Sequence, residues 1–170
     1  MLQSSIFSAA TVKPIIYLET SIVSYLTSRP SRDLITAARQ QITREWWELA
    51  PGFWHIATSD LVIEEAARGD PSAAILRLQA LQDLPVLPIE SAAKELALSI
   101  MAAGAIPLTE PEDALHIAIA TVSQAHYLVT WNFAHLVGPD IKLKLLDTLR
   151  ALGHTPPLLT TPEELLEMTR

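Results

Sequence analysis

The chain contains no cysteine, which excludes disulfides, thiolate-bound zinc and cysteine nucleophiles, and is compatible with a reducing cytoplasm. It is short of positive charge: 12 Lys and Arg stand against 19 Asp and Glu, a net charge of −7 with pI near 5.1. That is the wrong sign for clamping nucleic acid by a basic surface. It still permits a nucleic-acid site built on cations, because clustered carboxylates that bind divalent metals contribute to an acidic balance and the metal reverses the local sign. No uninterrupted apolar run approaches the ~20 residues of a membrane span, although 49% of residues are hydrophobic and mean hydropathy is +0.26. Residues 1–12 lack a basic start followed by a long apolar stretch, so they read as an N-terminal extension ahead of the first strand rather than a signal peptide. Internal repeats, low-complexity tracts and domain linkers are also missing. Together these absences describe a soluble, cytoplasmic protein with one domain, residues 13–170.

A chain of 170 residues buries a full core without staples. Ile15 to Leu18 are branched, aromatic or aliphatic with no alternation of polarity, as expected for a strand covered on both faces. A helix is expected from about Leu34 to Leu49, capped by Ser31 or Asp33 and ended by Pro51-Gly52. A second strand follows over Phe53 to Ala57, and Thr58-Ser59-Asp60 caps a helix that runs to Arg68, with Gly69 just beyond its end. Pro71 to Leu81 and Ser91 to Ala103 read as helices around a short strand at Val86 and Leu87. The clearest helix opens at Thr109-Glu110-Pro111-Glu112-Asp113 and continues through an apolar body to Ser123. Tyr127 to Thr130 is a strand, Asp140 to Leu152 a helix, Leu158 and Leu159 a short strand, and Thr161-Pro162-Glu163-Glu164 the start of a last helix. Strands alternating with helices predict an open, mostly parallel α/β sheet. Trp46, Trp47 and Trp54 read as core or dimer-face residues rather than base-stacking platforms.

Four positions carry chemistry. Glu19 follows the first strand, where open α/β sheets bind ligands, though alone it is equally the first solvated residue of a loop. Glu65, four residues after the apolar Leu61, lies on the buried side of its helix, whereas Glu64 points toward solvent. Asp113 lies in a first helical turn, where complementing the helix dipole would account for it, but Ala114 and Ile117 flank it with apolar surface. Asn132 follows the fourth strand and could be a turn residue. His116, one turn after Asp113, reads as a satisfied core histidine, because no second histidine stands at ligand spacing. Carboxylates converging from separate elements repel one another unless cations occupy the space, and oxygen donors suit Mg²⁺ or Mn²⁺ rather than zinc.

Tyr17-Leu18-Glu19-Thr20-Ser21, Ser59 with Glu65-Ala66-Ala67-Arg68-Gly69, Asp113-Ala114-Leu115-His116-Ile117-Ala118 and Val129-Thr130-Trp131-Asn132-Phe133 resemble the four successive acidic-site motifs of PIN domains, above all VapC-type toxin ribonucleases. Each motif is weak alone; as an ordered set they span Lys13 to Glu167. The resemblance implies a three-layer α/β/α fold with a central, mostly parallel sheet, metal-dependent RNA hydrolysis with Mg²⁺ or Mn²⁺, a homodimer and a cognate antitoxin. It makes Glu19, Glu65 and Asp113 metal ligands, with Asn132 the fourth catalytic position. Two positions depart from the pattern: glutamate replaces the usual aspartate at Glu19, and Asn132 replaces a frequent fourth acid. Thr20, Ser21 and Thr130 are candidate hydroxyls for orienting the carboxylates or bound water. Arg29 and Arg32 are candidates for substrate phosphate. A PIN-like interaction module without catalysis is the rival reading, favoured by the acidic pI and Asn132; a small hydrolase of another kind lacks a nucleophile motif.

Overall fold

A computed structural model describes residues 12–132, 136 and 138–169. The expected extension at residues 1–12 lies outside this set except for Val12, as does Phe133 of the fourth motif. In chain order the elements are β1 (Ile15–Leu18), α1 (Thr20–Thr27), α2 (Leu34–Phe53), β2 (His55–Ser59), α3 (Asp60–Ala66), α4 (Pro71–Leu81), β3 (Val86–Leu87), α5 (Ser91–Ala102), α6 (Pro111–Val122), β4 (Tyr127–Val129), α7 (Pro139–Ala151), β5 (Leu158–Thr160) and α8 (Pro162–Glu167).

The strands form one parallel sheet in the order β3-β2-β1-β4-β5. Helices α1 to α4 and α8 pack among themselves, α5 packs against α6 and α7, and the sheet separates the two groups as the middle of three layers. The uninterrupted apolar character of β1 follows from its central place: Ile16, Tyr17 and Leu18 are buried, with β2 on one side and β4 on the other. The chain leaves β1 toward β2 and β3, then returns across the sheet to β4 and β5. The carboxyl ends of β1 and β4 therefore flank a topological switch point, where such sheets hold ligands.

Most boundaries lie within one or two residues of the sequence expectation, α3 ending at Ala66 rather than Arg68 and β2 at Ser59 rather than Ala57; the largest shift is at the end of α2. Helix α2 runs through Pro51 and Gly52 to Phe53 instead of stopping before them, and β2 accordingly begins at His55 rather than Phe53. A proline in a helix removes one N–H and crowds the carbonyl four residues back, here that of Trp47. Here Trp54 N–H still reaches the Ala50 carbonyl at 2.9 Å, and Lys13 Nζ donates to the Pro51 carbonyl at 2.7 Å, so the last turn keeps partners. Trp46 and Trp54 are buried in the core and Trp47 is half-buried against it. Gly69, with φ +83°, takes the left-handed conformation expected after α3, which a side chain would strain. In α8 the anticipated capping box forms: Thr161 Oγ1 accepts from Glu164 N–H at 3.2 Å, and the Glu164 carboxylate accepts from Thr161 N–H at 3.1 Å.

Candidate metal centre

The centre begins where β1 becomes α1. Glu19 is extended (φ −85°, ψ 155°) and caps α1, its Oε2 accepting from Ser21 N–H at 3.0 Å and from the Ser21 hydroxyl. The same oxygen accepts from Thr130 Oγ1 at 2.7 Å. Ser21 Oγ in turn accepts from Trp131 N–H at 2.8 Å, and Thr130 Oγ1 from Asn132 N–H at 2.9 Å. The residues after β4 are thus tied to the carboxylate after β1, and Glu19, at 7% exposed, is held at the edge of the core rather than in a solvated loop.

Glu65 arrives from α3, half-buried, while Glu64 faces solvent. Its Oε2 accepts from the Thr20 hydroxyl and from His116 Nε2 at 3.0 Å. Burial pushes the Glu65 carboxyl up, but the hydrogen bond and charge of His116 and the Thr20 hydroxyl outweigh that and leave it below the ordinary carboxylate value. His116 responds in the opposite sense. Burial lowers it, yet the bond to Glu65 and the field of Glu19, Glu65 and Asp113 raise it above its ordinary value. Its Nδ1 lies 2.7 Å from the hydroxyl of Tyr17, whose own ionisation burial pushes far up, so the phenol stays protonated.

Asp113 is buried in the first turn of α6, behind Pro111 at the start of the helix, and its Oδ1 accepts from Asn132 Nδ2 at 3.0 Å. Among the described residues, the donor atoms that converge most closely are carboxylate oxygens of Glu19 and Glu65 with a ring nitrogen of His116, all within 4.8 Å of one another. Asp113 is not part of that triad, although its charge reaches His116. Arg29 and Arg32 are exposed in the loop between α1 and α2, where the Arg29 carbonyl accepts from Gln40 Nε2 at 2.9 Å. At the rim, Arg68 Nη1 pairs with Glu112 Oε1 at 2.7 Å.

Sequence reasoning placed His116 in the core, which it occupies, but not beside Glu65. It quoted Tyr17 and Ser59 within motifs, and Ser59 as a cap, but gave neither its place behind that histidine. One signal was available: a single histidine in the apolar body of α6, one turn from an acid. None pointed to the hydrogen bonds of Tyr17, whose partners lie 42 and 99 residues away. The donor set, mostly carboxylate oxygen with imidazole at its inner wall, fits a hard or borderline divalent cation such as Mg²⁺ or Mn²⁺.

No family model and no curated protein matches the chain. Solved structures do. VapBC2 from Rickettsia felis, bound to a DNA fragment from its promoter, aligns over 86% of this chain and 98% of that one, with a TM-score of 0.56 and 19% identity. VapC20 from Mycobacterium tuberculosis, a toxin that cleaves the sarcin-ricin loop, aligns over 70% of this chain and 91% of its own, with a TM-score of 0.52 and 18% identity. With its parallel five-stranded sheet between two helical layers and these structural neighbours, the chain has the PIN-type fold of the VapC toxins.

Proposed function

We propose that this protein is a metal-dependent endoribonuclease that hydrolyses RNA phosphodiester bonds, the toxin of a toxin-antitoxin pair acting in the cytoplasm. The observation that supports this most is the convergence of Glu19 and Glu65, drawn from separate elements, at the switch point of a VapC-type fold. Glu19, Glu65 and Asp113 would hold Mg²⁺ or Mn²⁺. When bound, the cation supplies charge that offsets the phosphodiester's developing negative charge and eases deprotonation of an attacking water.

The protein's own residues do the rest. Ser21 and Thr130 fix the Glu19 carboxylate, and Thr20 fixes that of Glu65. The Asn132 amide donates to the Asp113 carboxylate and fixes its orientation. Arg29 and Arg32 would meet RNA phosphates in place of an overall basic surface. A homodimer and a cognate antitoxin belong to this proposal. The test is cleavage of RNA with Mn²⁺ by a clean preparation. Asp113→Asn is expected to lose at least about 100-fold in rate while keeping wild-type circular dichroism, beyond the ~10–100-fold typical of residues that only support a metal ligand. Undiminished cleavage by that variant would sink the proposal.

One observation favours a second reading. Asn132 supplies an amide donor to Asp113 Oδ1 where a fourth acid would add a ligand, as in an interaction module that has lost its cation. Failure to bind Mn²⁺ at millimolar concentration would select that reading.

A further inference from the structure

Two donors converge on one oxygen of Glu65, the Thr20 hydroxyl and His116 Nε2. The imidazole comes from inside the protein, its residue 1% exposed. Behind it, Nδ1 lies 2.7 Å from the Tyr17 hydroxyl, which lies 2.8 Å from Ser59 Oγ, and that oxygen accepts from Val62 N–H at 3.2 Å. The last contact is the N-cap bond of α3, the helix that carries Glu65. The row therefore leaves α3 at its cap, crosses β1 and α6, and returns to α3 at the carboxylate.

Counting donors fixes the Glu65 end of the row and, in the neutral ring, its direction. An ionised carboxylate only accepts, so Nε2 carries the proton on Glu65 whether the ring is neutral or charged. In the neutral ring Nδ1 then accepts from Tyr17, Tyr17 accepts from Ser59, and Ser59 accepts from Val62, with no donor left over. A ring presenting a bare Nε2 to a cation would reverse the row. Nδ1–H would donate to Tyr17 and Tyr17 to Ser59, leaving the Ser59 proton without an acceptor in the row, and Glu65 would lose one of its two donors.

We infer that His116, braced by Tyr17 and Ser59, is a positioning residue that aims the Glu65 carboxylate at the cation and is not itself a ligand. The inference rests on the metal-site reading above. It also gives the triad of Glu19, Glu65 and His116 a division of labour, two carboxylates to bind and one imidazole to hold.

Nitrogen-15 NMR of the imidazole rings in the wild-type protein, without metal and then with Mg²⁺, reads the row directly. Nε2 of His116 is expected to be protonated in both states; a bare Nε2 in either one overturns the inference. Mn²⁺ titration of variants provides the second measurement. His116→Ala is expected to weaken binding about 10- to 100-fold, the usual cost of losing a group that orients a ligand, and Tyr17→Phe to weaken it up to about 10-fold. His116→Gln, whose amide can still donate to Glu65, should bind within a few-fold of wild type. Wild-type affinity in His116→Ala overturns the inference. If the wild-type protein itself binds no Mn²⁺, the metal-site reading falls and takes the inference with it, whereas a bare Nε2 alongside tight Mn²⁺ binding overturns the inference alone.

Discussion

The two buried-edge carboxylates are held in different ways. Glu19 is fixed by its own strand-to-helix junction and by the neighbouring strand: its donors are Ser21, two residues on, and Thr130, 111 residues on at the end of β4, all neutral hydroxyls or backbone N–H. Glu65 is fixed from a distance, by Thr20 45 residues earlier and His116 51 residues later, and one of these donors is ionisable. The hold on Glu19 depends on its own junction and on the pairing of β1 with β4, and carries no ionisable donor. The hold on Glu65, through an imidazole from another layer, depends on the packing of α3, β1 and α6 and on pH.

Removing one hydroxyl from each carboxylate separates the two modes of attachment. Thr130→Val deletes a wholly buried donor to Glu19 that also accepts from Asn132 N–H. It is expected to cost about 1.5–3 kcal/mol in denaturant unfolding, the range for a hydrogen bond to a charged group. Thr20→Val removes a donor from Glu65, whose side chain is 14% exposed and can recruit water, so about 0.5–1.5 kcal/mol is expected. Equal costs would mean that the two sides are held alike.

The pH response of the metal-free protein is a smaller effect and sharpens the Glu65 side. Glu65 lies below its ordinary 4.5, so its contribution to stability is present above that value and is lost as pH falls through the folded value. His116 lies above its ordinary 6.5, so its contribution is complete below that value and is lost as pH rises through the folded one. The thermal midpoint should therefore be highest between the two limits and decline on the alkaline side. In His116→Gln the alkaline decline attributable to this ring should vanish. A wild-type midpoint that rises with pH through that range would contradict the assigned pairing.

The same contrast explains what was legible in the sequence. Elements whose causes are local were readable: the apolar run of β1, the capping residues Ser59 and Thr161, Pro111 at the start of α6, and Gly69 after α3. The extension of α2 through Pro51 was not, because the Lys13 bond that accompanies it comes from a residue 38 positions earlier. Of the positions singled out from the sequence, Glu19, Asp113 and Asn132 lie beside element boundaries marked by local residue types, and Glu65 lies one turn after Leu61 on α3. The row from Ser59 through Tyr17 to His116 could not be read, because a tyrosine in an apolar strand and a histidine in an apolar helix look like core until the sheet brings them together.

Whether these carboxylates form a cation site is read by calorimetric titration of Mn²⁺ into the purified wild-type protein. Saturable binding below millimolar Mn²⁺, reversed by a chelator, is the expected result; no binding at millimolar Mn²⁺ would contradict the account.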